Sequence, residues 1–150
     1  MPRVMSLRQP NAKMAKSHAD SRSKILITDT PEDIGLKIKY AMTDSLPGIS
    51  YDPENRPGLS NLIEIIAQFE EDGRSCSDIA REYETLSIRD FKSKVVDCLL
   101  ANLSGIRKRY DRLLEKENKH YLDEIAIKGA EKAKANADAN MTLIRDAVGL

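Results

Sequence analysis

The chain has 150 residues, 41% of them hydrophobic, which is enough for one compact domain with a hydrophobic core. Lys plus Arg and Asp plus Glu number 24 each, so the formal net charge is zero and a generally basic nucleic-acid-binding protein is not indicated. No apolar run of roughly 18 residues is present, so we expect no membrane association through a spanning helix.

Charge is distributed unevenly along the chain. Residues 1–24 carry six basic side chains against one acidic one, residues 25–90 carry 6 against 14, and residues 91–150 carry 12 against 9. The charge pattern therefore predicts a solvated acidic region in the middle of the chain and basic ends that can bind phosphate groups. The first residues lack the apolar or Arg/Ser-rich pattern of a signal or transit peptide.

The N-terminal region predicts a little extended structure. Arg3 to Leu7 is expected to be a short strand, a polar loop runs to about Ser23, and residues 24–28 are a second extended piece. Two such short pieces are too few to form a sheet alone, so they look like the end of a larger sheet.

Helical signals dominate the rest of the chain. Thr30 as N-cap with Pro31 at the first position predicts a helix that ends at Leu46-Pro47-Gly48. Ser60 is expected to cap the next helix and Gly73 to break it.

Three further helices follow in the prediction. A short one begins at Ser75 or Ser77, Ser87 caps a long one, and Asn118 begins the last. Apolar residues recur along the long helix at helical spacing, and its 110–114 stretch is expected to be core. The fold class is mainly α: a helical bundle after a small β-containing remnant.

Lys13-Met14-Ala15-Lys16-Ser17 is the segment that indicates chemistry. Two lysines and a hydroxyl in a loop present mobile positive charge, which suits the charge that develops during phosphoryl or nucleotidyl transfer. Taken alone, the lysines would be ordinary solvated loop charges. Cys76 and Cys98 lack metal spacing and are expected to be reduced and inert, and no metal site is predicted.

Several blocks of sequence carry a resemblance to one family. The lysine loop resembles the KMSKS signature of class I aminoacyl-tRNA synthetases. Ala41-Met42-Thr43-Asp44-Ser45 and Arg56-Pro57-Gly58-Leu59-Ser60-Asn61-Leu62 follow it. In this order they resemble the C-terminal part of a bacterial-type tryptophanyl-tRNA synthetase, over essentially the whole chain. Residues 25–32 are more similar to the mitochondrial branch.

The resemblance implies a domain organisation. Residues 1–28 would be the end of a Rossmann-like catalytic domain, with its last strand and KMSKS-type loop. Residues 29–150 would be the helical, anticodon-side domain. The family's His-Ile-Gly-His-type motif and tryptophan pocket lie upstream, so the chain is expected to be a fragment or short product and to be inactive alone.

The resemblance also implies a reaction, tryptophan activation by ATP and transfer to tRNA(Trp). Lys13 and Lys16 would stabilise the leaving pyrophosphate, Ser17 would donate to phosphate, and the backbone near Val4 and Met14 would hold adenine. The residues expected at ATP are Val4, Lys13, Met14, Ala15, Lys16 and Ser17. Mg²⁺ is expected with ATP, the full-length protein is expected to be a homodimer, and its location to be the mitochondrial matrix, or the cytoplasm if bacterial.

A basic segment on the long helix is the candidate tRNA contact. Its members are Arg107, Lys108, Arg109 and Arg112, which can equally be the solvated face of an amphipathic helix. Two departures from the family pattern stand in the loop: Ala15 replaces a serine, and His18-Ala19-Asp20 replaces an Asp-Pro continuation. The alternative function is a non-catalytic helical module that binds tRNA or protein.

Overall fold

The computed structural model describes residues 3–70 and 73–149. Outside the described residues lie residues 1 and 2, which begin the predicted N-terminal part. Residue 150, which ends the predicted helical part, lies outside them as well. The described part contains five α-helices and no strand, so the mainly α fold class is confirmed. They are α1 (Pro31–Lys39), α2 (Pro57–Ala67), α3 (Cys76–Glu82), α4 (Ile88–Leu114) and α5 (Lys119–Val148), with 3-10 turns at Ser21–Ser23 and Lys116–Asn118.

The chain divides into two compact units, Met1–Arg107 and Lys108–Leu150. The first unit holds a hydrophobic core contributed by the N-terminal segment and helices α1 to α4. Its largest fully buried apolar side chains are Leu7, Ile38, Leu59, Leu62, Ile63, Ile79, Phe91 and Val95. In the second unit, α5 has no buried residue among those described. Within the described residues, no helix is both long enough and apolar enough to cross a membrane.

Local capping signals set the starts of three helices as predicted. The Thr30 side chain accepts from the Asp33 amide and the Asp33 carboxylate accepts from the Thr30 amide, with Pro31 at the first position of α1. Ser75 and Ser87 accept in the same way from the amides of Asp78 and Asp90, three residues on. These bonds join residues only three positions apart, which is why the sequence alone indicates them.

Three predicted helix boundaries are wrong, and one of them is the end of α2, which lies at Ala67 and not at Gly73. Helix α1 ends at Lys39, not at Leu46, because the chain then turns so that the Met42 amide donates to the Leu7 carbonyl at 2.7 Å. Helix α2 begins at Pro57, three residues before Ser60. Ser60 lies buried inside that helix, where its hydroxyl accepts from the Asp52 amide at 3.0 Å.

The strand predicted for residues 3–7 is also wrong, because these residues do not form a ladder of backbone hydrogen bonds with a neighbouring strand. The segment makes one isolated antiparallel bridge, between Met5 and Lys13. A strand requires a row of partner residues, and residues 3–7 find one short stretch of partner backbone here. The 110–114 stretch predicted as core is exposed, because helical spacing creates an apolar stripe but only a facing element buries it.

Candidate functional site

The lysine loop begins at the end of a short hairpin that is formed by residues 4–14. The Met14 amide donates to the Val4 carbonyl at 2.9 Å, and the Ser6 amide donates to the Ala12 carbonyl at 2.8 Å. The Ala12 amide closes the turn by donating to the Gln9 carbonyl at 2.8 Å. Lys13 is therefore held on a fixed backbone at the start of the loop.

Asn61 of α2 holds this hairpin from the other side. Its Oδ1 accepts from the Met5 amide at 2.9 Å, and its Nδ2 donates to the Met5 carbonyl at 3.0 Å. Asn61 is 3% exposed, so both bonds are shielded from water. One amide side chain thus takes the place of a neighbouring strand for one residue and fixes the hairpin to the helical core.

Leu7 supplies a second attachment of the hairpin. Its side chain is buried in the core, its amide donates to the Ser23 carbonyl at 3.0 Å, and its carbonyl accepts from the Met42 amide. Gly58 makes this possible, since a Cβ there would lie 2.1 Å from the Met42 carbonyl oxygen. The backbone of residues 41 and 42 can therefore lie directly against the start of α2.

The loop side chains are free to meet a ligand. Lys13, Lys16 and Ser17 are exposed, and neither lysine has an ion-pair partner within the part of the chain that the structure describes. A cavity of about 440 Å³ is lined by Arg3, Val4, Lys13 and Met14. The structure thus brings Val4, Lys13 and Met14 together as the sequence suggests, whereas Ala15, Lys16 and Ser17 lie farther along the loop and do not line this cavity.

The end of the loop is closed by contacts that the sequence did not indicate. The Asp20 amide donates to His18 Nδ1 at 3.1 Å, and the Lys24 ammonium donates to the His18 carbonyl. The Arg22 backbone amide, which donates to the Asp20 carboxylate, lowers the pKa of that carboxyl. His18 therefore organises the turn through its ring nitrogen and its carbonyl.

The candidate tRNA residues fall in both units. Arg107, in the first unit, is half-buried and its guanidinium donates to the Asp29 carbonyl at 3.3 Å. Lys108, Arg109 and Arg112, in the second unit, are exposed. Arg107 thus has a structural bond of its own, while the other three side chains present their charge to solvent.

Arg56 and Asp44 form a largely buried ion pair that precedes α2. Arg56, 5% exposed, donates to the Asp44 carboxylate from Nε and from Nη2, the latter at 2.8 Å. It also donates to the carbonyls of Leu46 and Gly48, both at 3.1 Å. Hydrogen bonds from Arg56 hold the pKa of Asp44 below its usual value. No local signal pairs Asp44 with a residue twelve positions away.

The two cysteines are partly buried. Burial raises the pKa of the Cys76 thiol and of the Cys98 thiol, so both stay protonated at neutral pH. This agrees with their interpretation as unreactive residues.

Asn61→Ala is expected to detach the hairpin. The substitution removes two partly buried hydrogen bonds and leaves the Met5 amide and carbonyl without the Asn61 side chain as their partner, which destabilises the chain by about 2 kcal/mol. Urea unfolding measures the stability, and amide hydrogen exchange at residues 4–14 is expected to accelerate.

Asn55→Ala is the matched control for this change. Asn55 is exposed, and its amide bonds only the nearby Asp52 carboxylate, so its loss should leave exchange in the hairpin unaltered. Protection at residues 4–14 that survives in Asn61→Ala would show that Asn61 does not hold the hairpin.

The chain was compared with known families and relatives. The family model described as "tRNA synthetases class I (W and Y)" matches residues 1–104. The tryptophan–tRNA ligase of Bacillus anthracis is 38% identical over 148 residues, which cover 99% of this chain and 44% of the relative. The mitochondrial tryptophan–tRNA ligase of Dictyostelium discoideum is also 38% identical over 148 residues, covering 99% of this chain and 38% of that protein.

Solved structures agree with the sequence comparison. The tryptophanyl-tRNA synthetase of Campylobacter jejuni, solved in complex with ADP and tryptophan, superposes with a TM-score of 0.73 at 28% identity. The match covers 100% of this chain and 44% of that one, so the chain spans less than half the length of these relatives. Because the family model matches over two thirds of its residues, the chain belongs to the class I tRNA synthetases of the tryptophan and tyrosine (W and Y) family.

Proposed function

We propose that the chain supplies the ATP loop and the helical part of a tryptophan–tRNA ligase, which activates tryptophan with ATP and transfers it to tRNA(Trp) in translation. The observation that carries the proposal is the exposed lysine loop held on a backbone fixed by Asn61. The Campylobacter jejuni relative, solved with ADP and tryptophan, supports the choice of nucleotide and amino acid.

The proposed reaction requires these residues to position ATP and to supply positive charge. When the tryptophan carboxylate displaces pyrophosphate from ATP, negative charge grows on the leaving group, and the Lys13 and Lys16 ammonium groups stabilise it. The Ser17 hydroxyl donates a hydrogen bond to a phosphate oxygen. The loop is held at Met14 and again from His18 onward, and the exposed Lys16 and Ser17 side chains between these points can close over the nucleotide after binding.

Adenine recognition in this proposal uses backbone groups near Val4 and Met14. The Met14 amide is already engaged by the Val4 carbonyl, so it is not available to the base. The Met14 carbonyl remains as an acceptor for the adenine amino group. The exposed Val4 side chain and the partly exposed Met14 side chain offer apolar surface beside the cavity.

The lysine loop does not supply the Mg²⁺ ion or the tryptophan pocket of the proposed enzyme. No group of three or more His, Cys, Asp or Glu side chains in the described ranges is placed to hold a metal ion. In this proposal Mg²⁺ would enter with ATP, coordinated by its phosphate oxygens, and the chain's own part is to supply cations around them. The tryptophan pocket belongs, in this proposal, to parts of the relatives that the chain does not span, so the chain alone would not catalyse.

The rest of the proposal follows the relatives. Residues 1–28 would complete a Rossmann-like catalytic domain and residues 29–150 would form the tRNA-side domain, with Lys108, Arg109 and Arg112 on phosphates of the tRNA. A homodimer is the expected assembly. Mitochondrial and bacterial relatives are equally similar, so the mitochondrial matrix, or the bacterial cytoplasm, is the expected location.

The experiment that tests this function is a chimaera in which the chain replaces the matching C-terminal part of the Bacillus anthracis ligase. We expect ATP–pyrophosphate exchange in the chimaera, and Lys16→Ala should lower the exchange rate at least about tenfold while tryptophan binding stays the same. Lys94→Ala, on an exposed position of α4, should leave both quantities unaltered. Equal exchange rates in the chimaera and in its Lys16→Ala variant would contradict the catalytic role.

The second candidate is a non-catalytic helical module that binds tRNA or protein. The exposed cations Lys108, Arg109 and Arg112 favour this reading. It predicts salt-sensitive tRNA binding by the chain and no exchange by a folded chimaera.

A further inference from the structure

A second cavity lies in the first unit, away from the lysine loop. It measures about 880 Å³ and is formed by the C-terminal half of α1 and the first turns of α4. Its cationic lining residues are Lys39, Arg89 and Lys92, and its one carboxylate is Asp97. We call this the α1–α4 cavity. Its lining is positively charged although the chain as a whole is neutral.

The cations of the α1–α4 cavity are not neutralised by ion pairs. Within residues 3–70 and 73–149, none of the three forms a salt bridge, and Asp97 forms none either. Lys39 and Arg89 are exposed, and the Lys39 ammonium lies 5.6 Å from the centroid of the Tyr40 ring. To turn toward an anion, Lys39 would give up only its contact with the Tyr40 ring, and Arg89 would break no salt bridge within the described residues.

Lys92 is the half-buried member of the set. Its ammonium donates to the Ala41 carbonyl at 2.8 Å and to the Lys39 carbonyl at 3.3 Å, next to the end of α1. Burial lowers the pKa of Lys92, which means that its charge lacks the compensation it has in water. An anion in the cavity would supply that compensation.

Gly35 gives the cavity its open wall. It lies in the middle of α1, where glycine costs about 0.5–1 kcal/mol relative to alanine. A Cβ at Gly35 would meet nothing within 4 Å, so no close packing requires a glycine there. The missing side chain leaves the helix backbone accessible from the cavity that Gly35 lines.

We propose that the α1–α4 cavity binds phosphate groups of a nucleic-acid backbone, and, resting on the function proposed above, that the nucleic acid is tRNA. Two exposed cations around an open cavity larger than a single phosphate group suit a phosphodiester chain. Ile88 and Val96 form the apolar part of the lining, and the exposed Lys39 and Arg89 side chains offer positive charge to phosphate oxygens. Contacts of this kind position a polymer rather than read its sequence.

The charge test compares variants that each remove one positive charge. Binding of a tRNA(Trp) transcript to the chain is measured by fluorescence anisotropy over a range of salt concentrations. Lys39→Gln and Arg89→Gln should each weaken binding at least about fivefold and reduce the slope of log K against log salt by about 0.7–0.9. Lys94→Gln removes the same charge from α4 outside the cavity lining and should change neither quantity.

The steric test leaves the charge unaltered. Gly35→Leu fills the open wall and should weaken tRNA binding at least about fivefold, while Gly35→Ala should retain most of the affinity. Both replacements favour the helix over glycine, so thermal unfolding should show α1 intact in each. An affinity loss in Gly35→Leu with unchanged stability is a result that a merely structural role would not produce.

A third measurement separates a polymer from a small anion. Inorganic pyrophosphate is titrated into the labelled chain and the side-chain signals of Arg89 and Lys39 are followed by NMR. Shifts of these signals together with weaker tRNA binding in the charge variants support the proposal. Shifts with tRNA binding unaltered in all the variants overturn it, because the cavity then accepts only small phosphates.

The remaining outcomes distinguish this proposal from the ligase function. Loss of tRNA affinity in Arg109→Gln but not in Lys39→Gln or Arg89→Gln would overturn the cavity proposal. Absence of any tRNA binding by the wild-type chain would overturn it as well. Exchange activity of the chimaera is measured independently and decides whether the ligase function stands in either case.

Discussion

Replacing Arg56 with alanine is expected to lower the free energy of unfolding by about 3 kcal/mol or more. The guanidinium is buried and bonds the Asp44 carboxylate together with the carbonyls of Leu46 and Gly48. Its removal leaves a partly buried carboxylate and two carbonyls without their donors, and breaking such a pair from one side typically costs about 3–5 kcal/mol. Asp44 is partly exposed and can recover some hydration, so we expect the lower end of that range.

Two further variants make the Arg56 result specific. Arg56→Lys keeps the charge but not the planar fork of donors, so its stability should fall between that of Arg56→Ala and the wild type. Arg81→Ala removes an exposed arginine that pairs with Asp78 on the surface, and little change is expected. Urea unfolding curves that coincide for Arg56→Ala and Arg81→Ala would exclude a stabilising role for the buried pair.

The Arg56–Asp44 pair also predicts a pH dependence. The folded state lowers the pKa of Asp44 from 3.8, so the folded state favours the ionised carboxylate. Its contribution is therefore fully present above about pH 4 and is lost as the pH falls through the folded-state pKa. The difference in stability between wild type and Arg56→Ala should narrow below about pH 4, and a difference that widens in acid would contradict this assignment.

Gly58→Ala is expected to destabilise the chain by about 3 kcal/mol. The new methyl group would lie 2.1 Å from the Met42 carbonyl oxygen and 3.3 Å from the Pro10 ring. Because the first obstacle is backbone, relief requires the segment around Met42 to move away from α2, which would lengthen the bond from its amide to Leu7. Thermal unfolding measures the loss, and faster amide exchange at Met42 is expected with it.

Gly105→Ala is the matched control for Gly58→Ala. Gly105 lies in α4, and a Cβ there would meet nothing within 4 Å. The same chemical change should therefore stabilise the chain by about 0.5–1 kcal/mol through helix propensity alone. If both variants shifted stability in the same direction, the close approach at Gly58 would not be the reason for its glycine.

Local sequence patterns were sufficient to predict a structural feature where the contact that determines it joins residues close together in the chain. Thr30 and Asp33 bond across three residues, as do Ser87 and Asp90, so caps indicate where α1 and α4 begin. The lysine loop and the family resemblance could be recognised from the sequence for the same reason, because both depend on residues that are neighbours in the chain. The roles of Lys13, Lys16 and Ser17 at ATP stay predictions.

The tertiary structure decided what depends on residues far apart in the chain. Asn61 bonds Met5 across 56 positions, and this bond, not a sheet, fixes the hairpin that precedes the loop. The early end of α1 at Lys39 follows from the Met42–Leu7 contact, which no helical pattern encodes. The sequence by itself therefore determined the starts of α1, α3 and α4, the mainly α class and the family, because each rests on neighbouring residues. Burial, the Arg56–Asp44 pair and the charged α1–α4 cavity were decided only by the fold, because hydrogen-bond partners and desolvation depend on which distant segments meet.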